Sequence, residues 1–572
     1  MKNKIFMACA LVMLASCNNE DLTPGAHHNQ SGDCINFSAV QDSETRTEYA
    51  ANDWLQIDWN VDDQLTIWCM ETQYPKDGTS TSAEWNSKTS GKFKVKSVIP
   101  TVNSAGKTTN SRANIVSVDA SNDLYWSEGQ HNFFAGYGAD ITAQTGKDGS
   151  NNDIYTGVFK CKYDKTQTLT QKNGAWVSMD QAYMVAKSTS APCENIDLHF
   201  RPIMTTLEID IKGLPSSQMY LSSVWVTIPA TQDKTDANDY FYYDYASGTA
   251  SNAASQTAET YKFNFSDQQQ AVIPANGSIK VIAILPPITI NPNEVTIQIN
   301  SAGWGTLKTK VNKSVTCSYK ARFQTEDWAY DTRGYADMGS CGKWALTNIG
   351  ATYPTDLGYH LTWGYNPDNT KKNKSHYTAI TYKASGDMQT ASGLTWNTTD
   401  FDKGYDREKA DALFYNVNLD NTYINASGNL LETYDLASQM FKDADGTISW
   451  RMPTANECMN LVQSTNIDMK WLRINGTAGA LITCKTTGEC IFLGAWGKFG
   501  QKSGTKPETF STGLYYWSAT REGDRYNSWI LDLEPTTAGS TSVKINYKND
   551  SSTATGNDYY RHHGMQVRAI KK

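Results

Sequence analysis

Period-two alternation of apolar and polar side chains runs through this chain and leaves it few folds besides β-sheet. Residues 35–40, 54–59 and 64–68 alternate in this way, as do 113–118, 132–137, 182–186 and 207–211. Such a pattern buries one face of a strand and leaves the other to solvent. Polar runs rich in Gly, Ser and Asn separate the strands, as from Lys147 to Asp153. A second set follows Gly213-Leu214-Pro215, with candidate strands at 223–228, 260–265, 270–273, 279–285 and 295–299, and the stretch 307–323 alternates to its end. The 17 Trp and 31 Tyr, set among abundant Thr, Ser, Asn and Gly, suit strands and polar turns better than helices. Near 326–333 the text changes and becomes richer in Trp and Gly. It holds one clear helix, 454–463. Thr454 is an N-cap, Glu457 completes a capping box, and Cys458, Leu461 and Val462 share one face. At 572 residues the chain is too long for one core. The expected order is a signal peptide at 1–16, a tether at 17–33, β-sandwiches at 34–212 and 213–325, and a last domain at 326–572.

The first residues carry an address. Lys2 and Lys4 precede an apolar run, 5–14, which is shorter than the ~20 residues a membrane span needs. The run ends Leu14-Ala15-Ser16-Cys17, small residues ahead of a cysteine. This predicts cleavage before Cys17 and a diacylglyceryl group on its thiol, so that the membrane partner is reached through lipid. Glu20-Asp21 resembles the surface-export signal of Bacteroidales lipoproteins, which implies the outer face of the cell outer membrane. A net charge of -8 without any basic block excludes nucleic acid as a partner. Setting aside Cys9 and Cys17 leaves nine of the 11 cysteines, none in a C-x-x-C pair, so neither zinc nor redox chemistry is indicated. Cys484 and Cys490 flank Lys-Thr-Thr-Gly-Glu, a hairpin turn, and form a candidate disulfide; buried free thiols are the alternative. Gly136-x-Gly138 lacks a following helix, and no G-x-S-x-G elbow occurs. Asp443-Ala444-Asp445-Gly446 lacks the distal glutamate of a calcium loop. No cofactor, metal or enzymatic activity is expected.

The first half resembles the fimbrillin family through Ile35-Asn36-Phe37, Thr45-Arg46-Thr47 and Trp59-Asn60-Val61-Asp62-Asp63 before a strand. Leu124-Tyr125-Trp126, Asn132 to Tyr137 and Asp197-Leu198-His199-Phe200 continue the likeness to about residue 325. Asp62 stands where the family usually has glycine. The resemblance implies two transthyretin-like β-sandwich domains of the kind used in pilus subunits. It also makes Arg46 a candidate proteolytic maturation site, whose cleavage would open a groove for a neighbour's donated strand. The second half is similar to the major paralogous (FISUMP-type) domain. The shared motifs are Tyr335 to Gly339, Lys343-Trp344-Ala345, Asn348-Ile349-Gly350, Trp450-Arg451-Met452-Pro453, Tyr516-Trp517-Ser518 and Gly564 to Ile570. That likeness covers about 333–572 and implies an α+β, C-type-lectin-like fold. The calcium signatures of sugar-binding lectins are missing, so calcium-dependent sugar binding does not follow.

The Trp450 and Tyr516 motifs read as structural, since buried Trp and Arg fix loops at element ends. Candidate ligand-binding residues lie outside the shared motifs: Trp496, Arg521, Arg525, Tyr526 and Tyr560. Aromatic faces and guanidinium planes there suit glycans or polar protein patches, of host or microbial origin. The expected function is a lipid-anchored surface adhesin, or an accessory or tip pilus subunit that meets other subunits by strand donation. The final strand, 565–570, belongs to the last domain, which favours accepting a strand over donating one. The alternative is a surface glycan-binding lipoprotein of a nutrient-capture system.

Overall fold

The computed structural model describes residues 32–41, 59–172, 174–311, 320–324, 333–364, 380–382, 388–390, 423–441, 447–498, 509–521, 528–545 and 564–572, apart from short stretches inside the longer ranges. Of the described residues 53% are strand and 6% helix, so the chain is mainly β. Among them no helix is long and apolar enough to cross a membrane. Two compact bodies emerge. Among the described residues, one holds those up to 135 with 145–156 and 186–201; the other holds 136–144, 157–185 and those from 202 onward.

In the first body the sheet closes on itself. Its strands run in the order Phe37–Gln41, Ile196–Pro202, Met184–Ser190, His131–Tyr137, Gln64–Trp68, Ser90–Val102 and Thr108–Ser117. Strand Phe37–Gln41 lies parallel to Ile196–Pro202 on one side and antiparallel to Thr108–Ser117 on the other. It thereby joins what would be two outer edges, and the open sandwich expected for this part becomes a barrel with no edge left to aggregate. Phe37 fills the interior, edge-on to Phe93 at 5.2 Å and to Phe133 at 5.4 Å. The turn before Gln64–Trp68 keeps a glycine-like conformation despite its aspartate. Asp62 sits at φ 69, its backbone N–H donates to Val95 O at 2.9 Å, and the Asp63 carboxylate accepts from the Asn60 N–H at 2.8 Å. Aspartate tolerates this region because its short polar side chain bonds locally.

The second body holds a long sheet in the order Thr306–Lys310, Thr296–Ser301, Met219–Ile228, Glu259–Phe265, Thr166–Lys172, Ala175–Val177, Ser278–Leu285, Thr205–Lys212 and Lys320–Gln324. Strand Thr166–Lys172 pairs in parallel with Glu259–Phe265, and Ala175–Val177 with Ser278–Leu285. These pairings carry residues 157–185 into the second body, so the division expected at 212/213 is crossed by hydrogen-bonded strands. From 333 onward the described residues of the same body form small sheets with two short α-helices among them, Leu436–Met440 and Ala455–Gln463. Thr454 and Glu457 form the predicted capping box, and Cys458, Leu461 and Val462 are the buried face.

Candidate functional site

The last domain is organised around the hairpin that bears the two cysteines. Strands Ile467–Ile474 and Thr477–Cys484 pair in register from Ile467↔Cys484 to Ile474↔Thr477. Asn475 at φ 50 and Gly476 at φ 79 make the two-residue turn between them, as an Asn-Gly pair favours. Strand Cys490–Gly494 pairs next, with Thr483 opposite Cys490. That register places Cys484 one position away from Cys490, and successive side chains point to opposite faces. The two thiols are free, which corrects the expected disulfide. Cys484 Sγ meets Thr486 Oγ1 at 3.1 Å, whereas Cys490 Sγ meets Thr483 Oγ1 and Ser222 Oγ, each at 3.3 Å. Burial pushes the Cys490 thiol up to about 11. For Cys484 burial raises the thiol as well, but the donors of Thr486 and Thr487 outweigh it and the net shift is downward.

The turn between these cysteines is a lock. Gln298 Nε2, on the long sheet, donates to Thr487 O at 2.6 Å, and Lys262 Nζ donates to Lys485 O at 2.9 Å. Thr487 Oγ1 donates to Asp337 O at 2.6 Å, and Glu489 accepts from Arg333 at 2.9 Å and from the Asp337 N–H at 2.6 Å. Gly488, at φ 74, touches the sheet so closely that a Cβ there would lie 2.5 Å from Asn300 Nδ2 and 2.7 Å from the Trp225 ring.

Beside the lock the two surfaces part into a cleft of about 430 Å³. One wall is the face of strands Met219–Ile228 and Glu259–Phe265, with Ser223 opposite Asn264 and Trp225 opposite Lys262. The other is the face of Ile467–Ile474 and Thr477–Cys484, with Asp468 opposite Thr483 and Lys470 opposite Leu481. Lys262 Nζ lies 4.2 Å over the Trp225 ring, and burial lowers its pKa. Lys485 stands at the cleft's rim and donates to Thr465 O at 3.0 Å. The volume is that of a small-molecule site, roughly 300–1,000 Å³.

Of the residues expected to bind ligand, the structure describes two and keeps them apart. Trp496 follows Cys490–Gly494 and folds back over Gly494, where an added Cβ would meet its Nε1 at 2.4 Å. The adjacent Gly497 N–H reaches Gly513 O, next to the start of strand Leu514–Arg521. Arg521 ends that same strand, so about 20 Å of extended chain separates the two residues. Arg525, Tyr526 and Tyr560 lie outside the described residues, as do Cys17, Arg46, Asp443 and Asp445. The motifs read as structural are buried and bonded to backbone. Trp517 Nε1 donates to Leu361 O at 2.8 Å, and Trp363 Nε1 to Ser518 O at 2.7 Å. Arg568, fully buried, donates to Asn348 Oδ1, Ala345 O, Leu346 O and Phe492 O at 2.6 to 3.0 Å. Asp435 caps Leu436–Met440 and also accepts the Met452 N–H at 3.0 Å. Sequence reasoning missed the cleft, although a signal existed. In strand Met219–Ile228 the apolar Val224, Val226 and Ile228 take one face and Trp225 the other, which marks a strand covered on both sides. Among the described residues no group of three or more His, Cys, Asp or Glu gathers in a metal-holding arrangement.

No protein-family model matches the chain, and no curated protein does. Solved structures do. A candidate cell adhesion protein from Bacteroides uniformis is 12% identical, with 52% of this chain and 93% of that one covered at a TM-score of 0.29. Another from Bacteroides ovatus is 15% identical, with 52% and 95% covered and a TM-score of 0.29. A fimbrial anchor protein from Porphyromonas gingivalis is 9% identical, with 49% and 83% covered and a TM-score of 0.20.

Proposed function

We propose that this chain is a lipid-anchored surface adhesion protein whose last domain, seated on a β-sheet support, presents the binding surface. The observation that carries this reading is the lock at 484–490. Backbone and side-chain bonds from Gln298, Lys262 and Ser222 fix the last domain to the long sheet, so that a pull on a bound ligand passes into the β-rich support rather than a slack linker. The sequence at Cys17 supports anchoring by lipid. An accessory or tip position in a pilus is the finer form of the proposal. Strand Ile570–Lys571 sits between Lys343–Ala345 and Trp450–Arg451 in its own sheet and is paired on both sides, so that strand is not itself offered to a neighbour. Cleavage at Arg46 would release the lipidated leader, and without it the lipid is a permanent foot.

Two measurements test this. Cells fed a labelled fatty acid should label the chain, and Cys17→Ala should abolish both the label and surface retention. Gold label on the last domain, viewed by electron microscopy, should mark filament tips or the cell surface; label spread along whole filaments would sink the tip form. The second reading, glycan capture for nutrient uptake, is favoured by the inter-domain cleft. Tight binding of a dietary polysaccharide by the purified chain, with no filament association, would select it.

A further inference from the structure

We infer that the cleft between the long sheet and the 467–484 hairpin binds an acidic saccharide, one or two sugar rings carrying a carboxylate. The inference names a ligand class for the adhesion reading and takes its biological setting from it.

The walls dictate the class. The long-sheet wall is a face of strands paired on both sides: Met219–Ile228 lies between Thr296–Ser301 and Glu259–Phe265, and Glu259–Phe265 lies between Met219–Ile228 and Thr166–Lys172. Its amides and carbonyls serve the ladders, so that wall offers a ligand side chains and no strand edge. The hairpin's outer strand, Ile467–Ile474, has its ladder on one side, and on the other the Trp471 N–H donates to Thr541 O at 2.6 Å. What the faces present is side chains: the amide of Asn264, the ammonium groups of Lys262 and Lys470, and the hydroxyls of Ser223 and Thr483, which already meet Asn300 Nδ2 at 3.0 Å and Cys490 Sγ at 3.3 Å and keep one further site each. This mixture of short donors and acceptors suits a polyhydroxylated ring. Aromatic and aliphatic surface from Tyr220 and Leu481 supplies an apolar floor for the ring's C–H face, while the Trp225 ring carries the Lys262 ammonium over it.

Charge then selects among sugars. The chain carries -8 overall, yet Lys262, Lys470 and Lys485 meet at this cleft against one lining carboxylate, Asp468. An ammonium has three donors, and the Lys262 bond to Lys485 O uses one. Lys262 and Lys470 are half-buried, and in a cleft such charges attract an anion more strongly than they would in open water; Lys485 is exposed.

The test is calorimetry on the purified full chain. N-acetylneuraminic acid, glucuronic acid and a disaccharide ending in each are compared with glucose, galactose and a glutamate-rich peptide. The acidic sugars should bind at least about 10-fold tighter than the neutral ones and weaken at high salt. Lys470→Gln and Asn264→Ala should each reduce that affinity, the lysine change by about 10-fold or more. Lys262→Gln should do the same, and Lys470→Gln keeps the test valid if loss of the Lys485 contact disturbs the lock. Equal affinity for neutral sugars, preference for the peptide, no binding at all, or unchanged binding in Lys470→Gln and Asn264→Ala would each overturn the inference. Calorimetry scores the cleft whether or not the chain is displayed on cells. Fatty-acid labelling and gold labelling score the adhesion reading whatever the cleft holds, so the two fail separately.

Discussion

Gly488→Ala should undock the last domain without unfolding it. The residue sits at φ 74, and its missing Cβ would lie 2.5 Å from Asn300 Nδ2 and 2.7 to 2.8 Å from ring atoms of Trp225. Two penalties add. The left-handed backbone costs an L-residue about 1–2 kcal/mol, and forcing a methyl into a packed contact costs about 1–3 kcal/mol more. Gly476→Ala separates them, because Gly476 has nearly the same backbone, φ 79, but nothing within 4 Å of the added carbon. Backbone strain alone should therefore cost that variant about 1–2 kcal/mol. The excess in Gly488→Ala, about 1–3 kcal/mol, falls on the docking equilibrium and raises the undocked fraction roughly 5- to 150-fold. Hydrogen exchange read peptide by peptide is the assay, since a chain of this size need not unfold in one step. Protection should drop across 219–228, 296–301 and 484–494 in Gly488→Ala, while the helix 455–463 keeps its own. Equal exchange in the two variants, or a loss spread evenly over the last domain, would refute the lock.

Other expectations concern the last domain's interior. Arg568→Met strips donors from Asn348 Oδ1 and three backbone carbonyls and should cost at least about 3 kcal/mol in urea unfolding; Arg568→Lys should not restore it, because a single ammonium lacks the guanidinium's fork. Thr454→Ala should cost about 1 kcal/mol through the lost cap, visible as faster exchange in the first turn of Ala455–Gln463. His360 is buried, accepts from Gln566 Nε2 at 2.7 Å through its Nε2, and burial lowers its pKa from 6.5 to about 3. A base whose folded pKa is depressed binds more protons when unfolded, so its contribution is complete above pH 6.5 and lost as the pH falls from there toward 3. Between pH 7 and 5 that is about 2 kcal/mol for this one group; denaturant titrations at the two pH values should show the loss, and His360→Gln should remove that part of it.

Local alternation told most where one strand face is wet. Gln64–Trp68 and Glu259–Phe265 fall within a residue of their expected bounds, and the capping box at Thr454 was legible in full because every atom it uses lies within four residues. Ser90–Val102 escaped because it shifts register between Val95 and Ser97 and again between Ile99 and Thr101, and each bulge inverts the phase of the pattern. The hairpin around Cys484 and Cys490 was readable, but not its register, and a slip of one residue decides whether two thiols face each other. The lock was beyond local reading altogether. Its bonds join residues 189, 223 and 268 positions apart through a carbonyl, an ammonium and a hydroxyl, none of which leaves a periodic trace. Placement of the candidate binding residues is equally beyond local reading: composition marks Trp496 and Arg521 as loop residues, and only the fold shows that strand Leu514–Arg521 runs from near the one to the other.

Lock and cleft share one hairpin, and that makes them thermodynamically linked. Lys262 bonds the turn through Lys485 O and lines the cleft, while Thr483 and Lys470 line the facing wall of the same three-stranded unit. A ligand held by both walls binds the docked arrangement alone and stabilises it by RT ln(1 + [L]/Kd), about 2.7 kcal/mol at a hundred times Kd. Linkage runs both ways. Saturating acidic sugar should therefore restore hydrogen-exchange protection at 296–301 and 484–494 in Gly488→Ala. That variant should also bind the sugar more weakly by the factor by which it lowers the docked fraction, although Gly488 itself lies outside the cleft lining. Gly476→Ala, strained but clear of the interface, should bind as the parent does. An affinity loss in Gly476→Ala equal to that in Gly488→Ala would break the link, since the cleft would then be sensing strain in the hairpin and not its seating on the sheet.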